Sequence, residues 1–398
     1  MVAHSKSKVL DPDRNPILRS TIKHTIYKQF CAGTNAQEVR TTLNQLKGMG
    51  FTGAILGYAR EVVMDENEVN VMNNEQTSEG QTAKENEEVS AWETGTLKTI
   101  EMAEPGDFVA LKFTGAGNKS LAHLMKNIPP SPTLNEAIMN MCERARDGGV
   151  RLLFDAEQAA LQDGIDAWTV DFMQRYNRPS NPDGGRALVY GTYQAYRTST
   201  PGTIANHMQM AKEGGWRLGV KLVRGAYLGS DPRHLFWPNK QATDNAYDSI
   251  AQSLMQRKFG DILRPSKDVD EEFPEVDLVL AGHNSHSVNK AMAVRDQQTL
   301  NGNEKTEMVY AQLMGMADHV SCALIQKSRR IKENEEKGVA AGDEPKTFKY
   351  IVWGTVGECT KYLLRRAQEN RDAVERTVEG RRALGQELAR RFRLRKTE

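Results

Sequence analysis

The chain has 398 residues, 39% of them hydrophobic, with Lys+Arg 53 against Asp+Glu 52, a net charge of +1 and a mean hydropathy of −0.60. This length admits two or three ordinary domains, or one large barrel with additions, and the apolar content suffices for a substantial core. Balanced charge supplies no field for a polyanion, which argues against a dedicated DNA or RNA binder.

Ile17, Ile22, Ile26 and Phe30 recur at helical spacing, and a second helix is expected over 36–49. A buried strand is expected at 51–56. Residues 65–88 hold eight acids against one lysine, so a disordered, solvated insertion is expected over 65–90. Short apolar runs then recur at 108–113, 150–154, 187–193, 218–223, 276–281, 308–311 and 350–353. Helical patterns at 135–146, 158–176, 200–213, 244–258 and 287–298 separate most of them. Strand alternating with helix implies parallel pairing through right-handed crossovers, and eight such strands imply a (β/α)8 barrel. Residues 331–346 read as a second charged loop, and 381–396 as a basic helix. The expected organisation is therefore an N-terminal helical segment (1–50), a barrel (51–376) and a basic C-terminal helix (377–398).

The four cysteines, Cys31, Cys142, Cys322 and Cys359, form no CxxC pair, which excludes a zinc ribbon or thioredoxin motif. No apolar run reaches about 18 residues, the span of a bilayer. The first sixteen residues lack the apolar stretch of a secretory signal, and no mitochondrial presequence is evident.

Polar residues at the carboxyl ends of barrel strands form the active site of such folds. Here they are Lys112, Asp155, Gln194, Lys221, Arg224, His283, Asn284 and Tyr350. The set is rich in cations and neutral donors and has one carboxylate. It lacks the carboxylate pair of a glycosidase, a Ser-His-Asp order and a metal-ligand cluster, so no metal is expected. Gly115-Ala-Gly-Asn-Lys-Ser120 is a poor phosphate loop, because Asn118 stands where the Walker pattern needs glycine. After the last strand, Tyr362 precedes Arg365 and Arg366 by three and four residues, so the three side chains can approach one helix face. Paired arginines suit a small carboxylate, since each guanidinium is a bidentate fork. The residues thus point to a barrel enzyme with a cationic site for a small carboxylate, or to an ordinary salt-bridged surface helix.

The segments LLFDAEQAAL around Asp155, YQAY at 193–196, KLVRGAYL at 221–228, GHNSHS from Gly282, QLMGMADHVS from Gln312 and YLLRRAQENR from Tyr362 carry a specific likeness. In this order they resemble the proline dehydrogenase (proline oxidase) family, flavoenzymes built on a distorted (β/α)8 TIM-like barrel with N-terminal helices and an extra C-terminal helix. The resemblance covers most of 20–395, and the monofunctional mitochondrial forms of fungi and animals look closer than the bifunctional bacterial ones. It implies FAD-dependent oxidation of L-proline to 1-pyrroline-5-carboxylate, with electrons passed to a quinone at the matrix side of the mitochondrial inner membrane. A relative acting on hydroxyproline, and a catalytically silent flavin-binding barrel, are the alternatives. If the first Met is the genuine start, the expected location becomes cytoplasmic.

The resemblance also implies residue roles. Arg365 and Arg366 would grip the proline carboxylate, supported by Lys112, with Asp155 holding the cationic cluster. Tyr350 and Tyr362 would wall the ring, with Leu313 and Ala226 packing on it. FAD would lie against Asp155, Gln194, Lys221, Arg224, Gly225, Ala226 and Tyr227, with Thr243, His283, Asn284 and Glu369 holding its outer parts. Glu61 would be a gate carboxylate pairing with Arg365. The turn Tyr350-Ile-Val-Trp-Gly-Thr355 lacks the two prolines of the family pattern and carries Trp353 instead. The basic tail, with Leu384, Leu388 and Phe392 at spacing four, has the pattern of a helix on an anionic bilayer surface.

Overall fold

The structure is a computed structural model that describes residues 11–59, 79–181, 184–265, 272–339, 342–371, 382 and 385–391. Helix α1 (Pro16–Ile22) starts at Asn15, whose side chain accepts from the N–H groups of Ile17 and Leu18. It continues through a π turn (Lys23–Tyr27) into α2 (Lys28–Phe30) and the short strand β1 (Cys31–Gly33). Asn35 caps α3 (Ala36–Met49), which Gly50 ends in the left-handed conformation.

Eight further strands follow: β2 (Gly53–Tyr58), β3 (Phe108–Leu111), β4 (Arg151–Phe154), β5 (Val189–Gln194), β6 (Leu218–Val223), β7 (Val276–Ala281), β8 (Glu307–Leu313) and β9 (Thr347–Trp353). Each pairs in parallel with the next, and β9 closes the barrel on β2 through residues 348–353. The surrounding helices are α4 (Glu79–Met102), α5 (Asn118–Met125), α6 (Pro132–Asp147), α7 (Ala159–Tyr176), α8 (Thr200–Gly214), α9 (Lys240–Gln256), α10 (Ser285–Leu300), α11 (Asp318–Glu336) and α12 (Val356–Arg371). Closure is uneven. β8 pairs with only the first half of β9, residues 347–350, and β1 takes over the edge at Val352 and Trp353.

Successive strand residues point to opposite faces, so each strand contributes every second side chain to the interior. Ile55, Phe108, Leu153, Tyr190, Val279, Val309 and Phe348 pack there as an apolar cluster of their own. At the amino-terminal end, buried Asp107 accepts from the Ala54 and Glu104 N–H groups, and Asp277 from the Ala187 N–H and Arg217. Those carboxylates tie strands together.

The eight expected barrel strands are present, with ends shifted by up to three residues. Two expectations fail and one strand is new. Residues 79–90 of the acidic stretch are helical, the start of α4, while 65–78 lie outside the described residues. Residues 331–336 continue α11 instead of opening a loop. The strand β1 was not anticipated. In the tail, 385–391 is helical with Leu388 exposed, and Glu387 pairs with Arg390 and Arg391; Leu384 and Phe392 lie outside the described residues.

Candidate active site at the carboxyl end of the barrel

The inward parity that places Leu153 and Phe348 in the core places Asp155 and Tyr350 one pleat higher, beside Lys221. Asp155 is 7% exposed and Lys221 6%. The Asp155 carboxylate accepts from the Lys221 ammonium at 2.5 Å, from the Tyr350 hydroxyl at 3.1 Å and from Thr192 Oγ1 at 3.5 Å. The ammonium also lies 5.1 Å from the Tyr350 ring centroid. One carboxylate therefore fixes both a cation and a phenol. Gly57 makes room for that phenol, because a Cβ there would stand 2.9 Å from the Tyr350 oxygen.

Lys112, the next inward position after Ala110, lines a small pocket with Tyr58, Ala59, Ala110, Tyr350, Val352 and Tyr362. Tyr362 enters from α12, and the Arg366 guanidinium lies 5.6 Å from its ring. Leu313 stands opposite Tyr350 in the β8–β9 register. Arg365 and Glu369 belong to the same helix, but their side chains lie outside the described residues, as does Glu61.

A second group gathers on the β6–β7 side. Arg224 Nε donates to Asp244 Oδ1 at 2.8 Å, Nη2 donates to Ser287 Oγ at 2.8 Å, and the guanidinium lies 4.2 Å from the Tyr247 ring. Burial works against the Asp244 charge, but hydrogen bonds from Lys240 and Arg224 outweigh it and hold this carboxyl below its ordinary range. Arg224 Nη1 is buried and meets no acceptor among the described residues. An unmet buried donor costs about 1–3 kcal/mol, so an acceptor brought to this atom would stabilise the site. Gly225, at φ +138°, lies so close to Tyr196 that a Cβ would fall 1.1 Å from its ring. The Tyr196 hydroxyl donates to Gln194 Oε1 at 3.0 Å, and Gln194 Nε2 donates to the Glu157 carbonyl at 3.1 Å. Ala226 is half-buried and Tyr227 buried.

His283 Nε2 accepts from the Leu313 N–H at 3.1 Å, which assigns the ring proton to Nδ1. Asn284 caps α10, its side chain accepting from the His286 and Ser287 N–H groups. Thr243 Oγ1 donates to the Asn239 carbonyl at 3.3 Å. The last two are engaged in the helices that carry them and are not drawn into the Asp155 cluster. The resemblance of 115–120 to a phosphate loop also dissolves. Glu88 accepts from the Asn118 N–H at 3.1 Å and Glu85 pairs with Lys119 at 2.6 Å, so carboxylates of the chain itself occupy the α5 amino terminus.

The proline dehydrogenase family model matches residues 39–379. The chain belongs to this family. It is 30% identical to the probable mitochondrial proline dehydrogenase of Schizosaccharomyces pombe, over 95% of this chain and 81% of that one. It is 26% identical to the hydroxyproline dehydrogenase of Mus musculus, over 93% of this chain and 82% of that one. Among solved structures, proline utilization A from Bdellovibrio bacteriovorus superposes with a TM-score of 0.58 at 17% identity, over 91% of this chain and 35% of that one. That likeness shows the barrel fold.

Within this proline dehydrogenase fold, three residues support the site without having been singled out from the sequence. Asp244 and Ser287 aim Arg224, and Tyr196 aims Gln194. Lys240 and Asp244 at helical spacing were a readable sign for the first; Ser287 and Tyr196 lie within the GHNSHS and YQAY segments, which carried the likeness without showing what these side chains hold. Trp353, the last residue of β9, packs outward. It stacks on Tyr58 at 4.9 Å and donates to Thr99 Oγ1 at 2.9 Å, which fastens α4 to the barrel rim.

Proposed function

We propose that this chain oxidises L-proline to 1-pyrroline-5-carboxylate with FAD as cofactor and a quinone as electron acceptor, in mitochondria. Family membership supports the reaction. The observation that carries the assignment is a small pocket at the carboxyl end of the barrel, lined by Lys112, Tyr350 and Tyr362, with Arg366 against the Tyr362 ring. Two arginines and a lysine suit a substrate carboxylate, and two phenol rings suit the apolar edge of a five-membered ring. Arg366, with Arg365, holds the carboxylate and thereby sets which ring carbon faces the cofactor. Asp155 keeps Lys221 and Tyr350 in place through the bonds described above.

The described residues fit FAD. The Arg224 Nη1 donor needs an acceptor, and the flavin ring system and its phosphates are rich in them. Gln194, Lys221, Arg224, Gly225, Ala226 and Tyr227 would hold it, with His283, Asn284, Thr243 and Glu369 around its outer parts. Bound FAD supplies the hydride acceptor, while the protein supplies orientation and charge. Purified protein is expected to be yellow, to bleach on adding L-proline without oxygen, and to recolour with a soluble quinone. Colourless protein that gains no flavin spectrum with added FAD contradicts the cofactor assignment. Bleaching without recolouring contradicts the acceptor.

The hydroxyproline dehydrogenase relative favours a second substrate for the same site. Tyr350 weighs against it, because a bulky phenol on the pocket wall would crowd a ring hydroxyl. Tyr350→Ser is expected to lower kcat/KM for proline and raise the hydroxyproline-to-proline ratio. An unchanged ratio removes Tyr350 from the ring wall.

A further inference from the structure

The start of α12 is held by residues from the opposite end of the chain. Asp13, ahead of α1, places both carboxylate oxygens on it. Oδ2 accepts from Thr355 Oγ1 at 2.9 Å and Oδ1 from the Gly357 N–H at 2.9 Å. The Tyr27 hydroxyl donates to the Gly354 carbonyl at 2.8 Å, and the Gly354 N–H donates to the Gly33 carbonyl at 3.2 Å. Residues 13, 27 and 33 thus grip residues 354–357 by side chain and backbone together.

A local cap sits beneath this grip. Glu358 accepts from the Thr355 N–H at 2.8 Å while Thr355 Oγ1 accepts from the Glu358 N–H at 3.2 Å, a reciprocal capping box. The Tyr58 hydroxyl, from β2, donates to the other Glu358 oxygen at 2.9 Å. The helix start is therefore capped before Asp13 is counted. What Asp13 adds is a fixed point outside the helix, with a negative charge at the positive end of its dipole. Tyr27, Cys31, Val356, Cys359 and Tyr362 share one apolar cluster, so the surface that receives the amino-terminal segment also backs the pocket wall.

We propose that Asp13, together with Tyr27 on the Gly354 carbonyl, is a positioning residue that sets the angle of α12 and so the approach of Arg366 to the substrate carboxylate. The inference rests on the reading of Arg366 given above. Arg366 lies ten residues beyond Val356, about 15 Å along the helix. A tilt of about 4° at the start moves it by about 1 Å, enough to weaken a charge-assisted bond to the carboxylate whose complete loss costs about 1.5–3 kcal/mol.

The test uses full-length, flavin-loaded enzyme. Asp13→Ala is expected to speed hydrogen exchange at amides 357–362, leave exchange in β3 to β7 unchanged, and raise KM for proline about three- to tenfold with kcat within about twofold. Asp13→Asn keeps an oxygen for the Gly357 N–H and should fall between wild type and alanine. Unchanged exchange at 357–362 in Asp13→Ala overturns the proposal whatever KM does. Faster exchange with unchanged KM overturns the positioning role. Arg366→Met, measured alongside, separates the two failures: if it too leaves KM unchanged, the fault lies in the assignment of the carboxylate site.

Discussion

Asp155→Ala is expected to lower kcat/KM for proline by about a hundredfold or more. The substitution leaves the Lys221 ammonium buried without the carboxylate that lies 2.5 Å away, and frees the Tyr350 hydroxyl from its 3.1 Å acceptor. Removing one partner of a buried pair typically costs about 3–5 kcal/mol, because the remaining charge stays desolvated. Part of that cost falls on stability, so the melting temperature should drop as well. Asp155→Asn separates the two effects. It retains an oxygen for Lys221 and the side-chain volume but not the negative charge, so it should restore part of the melting temperature and a smaller part of the activity. Activity of Asp155→Ala within about threefold of wild type would show that the cluster is structural alone.

Arg366→Met should raise KM for proline about ten- to hundredfold while flavin content stays near wild type. Losing one charge-assisted bond to a carboxylate costs about 1.5–3 kcal/mol, and methionine keeps much of the apolar stem that packs near Tyr362. Arg365→Met is expected to act in the same direction. A KM within about twofold of wild type in both variants would place the carboxylate elsewhere, with Lys112 the next residue to test. Unaltered flavin content matters here, because a KM effect accompanied by flavin loss would reflect a disturbed barrel.

The barrel strands were legible because each is a short, continuous apolar run, as both-face burial demands, bounded by helical patterns of different period. β1 was not, since three residues show no period and gain their structure only by lying beside Val352 and Trp353. The acidic stretch misled for a related reason. Charge alone reads as solvated loop, yet Glu85 is buried against Lys119 and Glu88 caps α5, so part of the charge is used in docking a helix. In the site, Asp155, Lys221, Tyr350 and Tyr362 could be gathered by strand-end position and helical spacing. The Thr355–Glu358 capping box was readable in T-x-x-E and went unread. Asp13 carried no local sign, because its partners lie at the far end of the sequence.

The shared edge of β9 has a consequence for how the protein is made. Tyr27 and Gly354, which meet in the finished barrel, are 327 positions apart. At the usual pace of about 5–20 residues per second, a ribosome needs on the order of tens of seconds to deliver the second after the first. Throughout that interval β1 has no strand to lie against. Its apolar surroundings, Tyr27 and Cys31 among them, have no cover from Val352, Val356 or Cys359. The nascent chain therefore carries β1 unpaired until β9 has been made. The pocket wall at Tyr362 is completed in that same late step, so no shorter intermediate of synthesis holds the finished site.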